Sequence, residues 1–316
     1  MQVLDGSVLV LGGTGHYGRH IVRSLLEMGE PVKVLTRNSV KAREILGNGP
    51  DLIKGDITSK ESVVEALSGV KVIIISVSAF SRKLIRKLTL IERDSVLMLL
   101  EEAKKAGISR IVYISTFDIK KDLTGKFDIP QANIKLDIEE ALAISDFNWT
   151  VLGAPPSIEI FFAMIRGDRM MVPGGGPPAL PTLSPVDMGK IAAQAAVRTD
   201  LSKKRFRLTG PEAMSFPEAA RRIASVTGKP ITFRKIPLLP LRVVSLITRP
   251  FSPYLRLLLK FVLLLNKGFT EDVVATIPED YQLLRQTFDY QPTTLEMQAK
   301  AWVDTKQKTF QQGSRE

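Results

Sequence analysis

Through the first half of the chain, short apolar runs alternate with amphipathic stretches. The runs at 8–11, 32–36, 52–54, 72–77, 110–115 and 149–152 predict strands, and residues 15–28, 39–46, 60–67, 84–106 and 130–145 predict helices between them. Such alternation predicts an α/β fold with a doubly wound parallel sheet. A run apolar throughout, such as Val72-Ile73-Ile74-Ile75, is expected where both faces of the sheet are covered. Crossovers should be right-handed, and a ligand should lie at the C-terminal ends of the strands.

Beyond Gly153-Ala154-Pro155-Pro156 the pattern loosens. Residues 173–178, Pro-Gly-Gly-Gly-Pro-Pro, form a turn-rich loop that suits a lid or a plain surface connection. Residues 205–209, 215–227 and 231–234 predict a small strand–helix–strand region built around Thr209-Gly210-Pro211. The expected organisation is a Rossmann domain over 1–153 and a smaller C-terminal α/β substrate or capping region over 154–316, interleaved as one compact unit. A chain of 316 residues, 44% hydrophobic, can bury one large core or two modest ones.

The first strand runs directly into Gly12-Gly13-Thr14-Gly15-His16-Tyr17-Gly18 and then into an amphipathic helix. This order suits a dinucleotide site. Gly12 can take the tight turn, Gly15 lets the backbone approach a pyrophosphate, and Gly18 lets the helix pack close to the sheet. The helix N-terminus supplies N–H groups and partial positive charge for the diphosphate. At the end of the second strand, Thr36-Arg37-Asn38-Ser39 contains no acid to bond a ribose 2′-hydroxyl. Arg37 instead offers a planar fork matched to a 2′-phosphate, and Lys41 and Arg43 add positive field, so NADP is expected over NAD.

Zero cysteines remove disulfides, thiolate nucleophiles and cysteine metal sites together. His16 and His20 lie four apart on the glycine-loop helix; without further ligands they suit solvent or a phosphate better than a metal. No secretory pattern precedes the first strand, which sets the expectation of a cytoplasmic protein.

The formal net charge is +11. Between positions 201 and 265 thirteen Lys and Arg face only Glu212 and Glu218, so this segment carries a surplus equal to that of the whole chain. No helix-turn-helix, zinc-finger or ribonucleoprotein motif accompanies it, which argues against nucleic acid. The stretch that begins at Ile236 and ends at Leu265 is a strongly apolar hairpin with four cations and no acid, broken by Pro250 and Pro253. Neither half has the roughly 18 uninterrupted apolar residues needed to span a bilayer. It suits a lid or core-covering helix pair, or docking to a membrane surface or protein partner. Phe269-Thr270-Glu271-Asp272, Tyr281-Gln282-Leu283-Leu284 and Pro292-Thr293-Thr294 follow. Thr293 or Thr294 can cap a last helix through Ala301-Trp302, with a polar tail fraying from Lys306.

Taken together, the glycine loop, Lys54-Gly55-Asp56-Ile57, Val112-Tyr113-Ile114-Ser115-Thr116-Phe117, Lys135 with Glu139, and Asn148-Trp149-Thr150-Val151-Leu152 resemble the atypical short-chain dehydrogenases of the NmrA-like kind, most strongly over 7–190. The resemblance implies that Asp56 and Ile57 flank the adenine and that Ser76, Val77 and Ser78 line the nicotinamide ribose. It also implies that Lys135 holds the ribose hydroxyls, that Lys135 and Ser115 are the catalytic residues organising the nicotinamide and the acceptor, and that Pro155 belongs to the cofactor site. Two positions depart from the pattern. The usual general-acid Tyr, four before the Lys, is Gln131, which has no ionisable proton, and the usual Arg before the Pro is Gly153. The expected function is an NADPH-dependent reductase of a small apolar substrate; the alternative is a nonenzymatic NADP(H) sensor or assembly factor.

Overall fold

Strand β1 (Ser7–Leu11) lies at the centre of a parallel sheet, paired on one side with β2 (Val32–Thr36) and on the other with β4 (Val70–Ile75). The computed structural model describes residues 5–117, 129–247 and 252–313. With β3 (Asp51–Lys54), β5 (Arg110–Thr116), β6 (Asn148–Ala154) and β7 (Lys204–Arg207), the order across the seven strands is β3-β2-β1-β4-β5-β6-β7. The order reverses beside β1, which is where a doubly wound sheet opens a crevice for a ligand.

Side chains alternate between the faces as pleating requires. Leu9, Leu11, Ile73, Ile75, Tyr113 and Val151 join one core with residues of α3 (Lys60–Leu67), α4 (Ser95–Lys105) and α5 (Pro130–Ala143). Val8, Val10, Val34, Val72, Ile74 and Val112 are equally buried and point to the face covered by α1 (Gly18–Glu27) and α6 (Pro185–Val197). The helix α2 (Ser39–Leu46) is capped by Asn38, whose side-chain oxygen accepts from the Lys41 N–H at 3.0 Å. Where α1 and α6 meet, a Cβ on Gly189 would stand 2.5 Å from the His20 carbonyl oxygen. Only glycine allows that approach.

These elements belong to one compact unit, Met1–Ala154 with Pro185–Leu208 and Leu284–Tyr290; a second unit comprises Pro155–Ser184, Thr209–Leu283 and Gln291–Glu316. The second has its own core, in which the rings of Phe161 and Phe216 meet edge to face and Met170, Met214 and Ile223 pack with them. A small sheet of Ile165–Arg166, Arg169–Pro173 and Thr232–Ile236 and a two-stranded pair, Leu180–Pro181 with Ala213–Met214, frame it. Arg222, on the helix Phe216–Thr227, donates to Glu212 and to Glu296, which ties that helix to the last one.

Three local expectations change. Residues 84–106 do not form one helix: a 3₁₀ turn (Ile85–Lys87) and a π-helical turn (Leu90–Asp94) precede α4, and the Ser95 hydroxyl donates to the Leu90 carbonyl at 2.7 Å. The strand at 204–207 belongs to the central sheet beside β6, not to a small region with 231–234, which pairs with Arg169–Pro173. The last helix, Leu295–Gly313, continues beyond Lys306, and Thr294 is its capping hydroxyl, accepting from the Met297 N–H at 3.3 Å. The hairpin forms helices Leu238–Ile247 and Pro253–Lys267, with residues 248–251 outside the described residues. Among the described residues no helix is long and apolar enough to cross a membrane. The glycine loop at 173–178 is fastened to the second of these helices: Asn266 accepts from the Gly176 N–H at 3.0 Å and donates to the Pro173 carbonyl at 3.1 Å.

Candidate functional site

A cavity of about 770 Å³ opens at the C-terminal ends of β1, β2 and β4, within the range of cofactor pockets. Its floor is the glycine loop. Gly12 has a φ of +76°, and a Cβ there would lie 2.3 Å from the Ser76 carbonyl oxygen, so the backbone of the loop after β4 runs directly over it. A Cβ on Gly18 would lie 2.0 Å from the Gly12 carbonyl oxygen, which holds the first turn of α1 against the loop. Gly13 packs below on Val34 and Val22. The N-terminus of α1 has no side-chain cap and no acid in its first turn, leaving its positive end for an anion. Gly15, Thr14, His16 and Tyr17 line the cavity above it, the rings of the last two 4.9 Å apart.

Arg37, Asn38 and Lys41 line the cavity at the end of β2, and Asp56 and Ile57 line it beyond β3. Asp56 is braced by Thr58, whose backbone N–H and hydroxyl both donate to one carboxylate oxygen at 2.9 Å. Arg43 does not join them; its guanidinium donates to the carbonyls of Gly47 and Pro50. Ser76, Val77 and Ser78 line the β4 end, and Phe80, Leu84 and Ile91 add an apolar wall.

Of the candidate residues, Lys135, Ser115 and Pro155 stand outside this lining, as do Gly13 and Gly18 beneath it. The buried Lys135 ammonium donates to the Ile114 carbonyl at 3.2 Å, lies over the Tyr113 ring, and faces a Glu92 carboxylate oxygen at 3.9 Å. Burial pushes its pKa below the ordinary lysine value, against the opposing pull of Glu92 and Glu139. The Ser115 hydroxyl donates to Glu139, which also accepts from Arg205 Nε at 2.8 Å. The Arg205 guanidinium reaches the carbonyls of Thr116 and Phe117, and a Cβ on Gly153 would come within 3.1 Å of it. Arg205 thus occupies the space beside Gly153. Pro155 falls in the second unit.

Sequence reading missed Glu92. Its carboxylate accepts from Gln131 Nε2 at 2.9 and 3.0 Å and from the Ala79 N–H at 2.5 Å, so one buried acid joins the loop after β4 to Gln131 and Lys135 of α5. A signal existed: Leu88, Ile91, Ser95, Val96 and Leu99 mark one buried stripe, and Glu92 lies in it.

His20 turns away from the cavity toward α6. Burial chiefly, then Arg19, Arg23 and His16, lower its pKa from 6.5 to about 4. Between those values the unfolded chain takes up a proton that the folded chain refuses, so stability is expected to fall as pH drops through this window. The half-exposed ring limits the loss to about 1–2 kcal/mol. Urea unfolding at pH 7 and pH 4.5 checks this, with His20→Asn expected to flatten the difference.

The NmrA-like family profile matches residues 5–296. The chain belongs to the NmrA-like family. Relatives include the photosystem II assembly factor Ycf39 of Trieres chinensis, 25% identical over 76% of this chain and 75% of its own. The NAD(P)H azoreductase of Xenophilus azovorans is 26% identical over 73% of this chain and 77% of its own. In fold, the chain matches the Citrobacter triphenylmethane reductase complexed with NADP(H), with a TM-score of 0.72 at 18% identity over 93% of this chain and 99% of that one. It also matches the NADPH complex of the Escherichia coli quinone oxidoreductase QOR2, with a TM-score of 0.71 at 18% identity over 94% and 99%. The fold is thus the Rossmann fold of NmrA-like NAD(P)-binding oxidoreductases.

Proposed function

We propose that this NmrA-like protein binds NADP(H) in the β1–β2–β4 cavity and reduces a small, apolar, electron-poor conjugated acceptor of the quinone or azo class. One cavity carries the reading: it combines a glycine turn at a helix N-terminus, Arg37 and Lys41 where a 2′-phosphate would fall, and an apolar wall of Phe80, Leu84 and Ile91. The glycine loop and the α1 N-terminus would hold the pyrophosphate, Asp56 and Ile57 would flank the adenine, and Ser76 to Ser78 would line the nicotinamide ribose. When bound, the reduced dinucleotide supplies a hydride; the protein supplies orientation and a dry wall.

The acceptor class follows from what the site lacks. Gln131 cannot donate an ionisable proton, Ser115 is committed to Glu139, and Lys135 is buried against Glu92. A saturated ketone would need a proton as hydride arrives. A quinone-like acceptor delocalises the arriving charge and takes its proton from water afterwards. On this reading Lys135 and Glu92 are positioning residues that hold the loop after β4 through the Ala79 N–H.

A second reading has a specific observation behind it. Because Ser115 and Lys135 both have internal partners, the protein could bind NADP(H) without turnover, as a sensor or an assembly factor of the kind that Ycf39 names. Steady-state oxidation of NADPH by a panel of quinones and azo dyes separates the two. Turnover with such acceptors and none with simple ketones is expected; tight NADPH binding without turnover of any acceptor would select the second reading.

A further inference from the structure

From residue 219 to residue 270 the chain contains ten Lys and Arg and no Asp or Glu. All of that segment lies in the second unit. Within it, the helix Leu238–Ile247 exposes Leu239 at 70% and Val243 at 47%, two apolar side chains one turn apart on the same helical face. That helix packs against Pro253–Lys267. On the second helix, Arg256, Lys260 and Lys267 are four and seven residues apart, which places all three within an arc of about 40°. Leu257, on a neighbouring face of the same helix, is buried. Arg234, Lys235, Arg256 and Lys267 are exposed, and among the described residues none of these four has a carboxylate at salt-bridge distance.

We infer that this helix pair docks the protein, in plane, on an anionic lipid surface. Charge complementarity singles out that occupant. A folded protein surface with scattered charge of both signs would meet these exposed cations with matched and mismatched groups alike, whereas an anionic bilayer offers phosphate to Arg234, Lys235, Arg256 and Lys267 together and hydrocarbon to Leu239 and Val243. Neither helix is long enough to cross, so the mode is interfacial. The apolar side chains would sit at the boundary of headgroup and acyl chain, with the basic residues at the level of the phosphates. The inference is independent of the reductase reading, because no residue of the cavity takes part.

The test is flotation of the full chain with vesicles of pure phosphatidylcholine and of phosphatidylcholine with 30–40% phosphatidylglycerol, about the anionic content at which the surface field is strong. Binding to the anionic vesicles, weakened by salt, is expected, with little binding to the neutral ones. Leu239→Asp with Val243→Asp should lower the binding constant about tenfold or more, given the apolar burial each residue would lose. Arg234→Glu with Arg256→Glu should lower it about fivefold for each cation lost, and further for the reversal. All variants change exposed residues, and unchanged far-ultraviolet circular dichroism and NADPH affinity would establish that they are folded. Equal flotation by wild type and the Leu239→Asp/Val243→Asp variant would overturn the inference. So would absence of binding to anionic vesicles, including the case in which the same variant instead abolishes a concentration-dependent dimer, which would identify a second copy as the occupant.

Discussion

Glu92→Ala should cost about 3–5 kcal/mol of folding stability, because it strands a buried ammonium. The Glu92 side chain is wholly buried, and its carboxylate serves Lys135, both donor geometries of Gln131 and the Ala79 N–H. Removing it leaves Lys135 with only the Ile114 carbonyl and leaves the two nitrogen donors without an acceptor. The reverse substitution is expected to be milder. In Lys135→Met the Glu92 carboxylate retains Gln131 and the Ala79 N–H, and the four-carbon stem is replaced by a side chain of similar volume. Glu92→Leu combined with Lys135→Met should recover much of the loss, since neither charge is then buried alone. Urea denaturation of the three variants checks the order. A Glu92→Ala variant as stable as wild type would mean that water reaches Lys135 and that the cluster is not sealed.

Lys135 also makes stability depend on pH at the alkaline end. Its folded pKa lies below the unfolded value, so the folded form releases its proton first and stability should rise as pH climbs into the window below 10.5. Lys135→Met should remove that rise.

The second large effect concerns the 2′-phosphate. Arg37 is exposed, lines the cavity and meets no acid within Thr36–Ser39, the span in which an NAD site carries one. A guanidinium bond to phosphate is worth about 1.5–3 kcal/mol, so Arg37→Asp should weaken NADPH about ten- to hundredfold. It should also improve NADH, because the new carboxylate can accept from the free 2′-hydroxyl. Lys41 is one turn into α2 and lines the same wall, so Lys41→Ala should weaken NADPH by a smaller factor and leave NADH unchanged. Competition titrations of each variant with both dinucleotides read this out. An Arg37→Asp variant that keeps its NADPH affinity would place recognition of the phosphate elsewhere.

Much of this was legible before any coordinates. The bounds of α2 and α3 follow from Asn38 and Ser59, good caps ahead of amphipathic turns, and the glycine spacing carries the turn at Gly12 and the packing of α1 at Gly18. What was not legible depended on partners far along the chain. Glu92 could be seen to lie in a buried stripe, but its ligands at 79, 131 and 135 come together only through the sheet. The π-helical turn that aims it shifts the register by one residue, too little to disturb an apolar pattern. Residues 205–209 read as a strand of a small separate region, whereas Lys204–Arg207 edges the central sheet, because nothing local says which sheet a short strand joins. Arg43 looked like part of a phosphate field; two backbone carbonyls claim it instead. Gly153 read as a loss from the family pattern, whereas Arg205, fifty-two positions later, brings its guanidinium to the same place.

Whether the cavity is a dinucleotide site, and which dinucleotide it takes, decides the rest. Calorimetric titration of the purified chain with NADPH and with NADH addresses both together. Saturable one-to-one binding of NADPH, about tenfold or more tighter than NADH, is the expected result, with Arg37 and Lys41 supplying the difference. Binding of neither, or equal binding of both, would contradict the reading of the β1–β2–β4 cavity as an NADP(H) site.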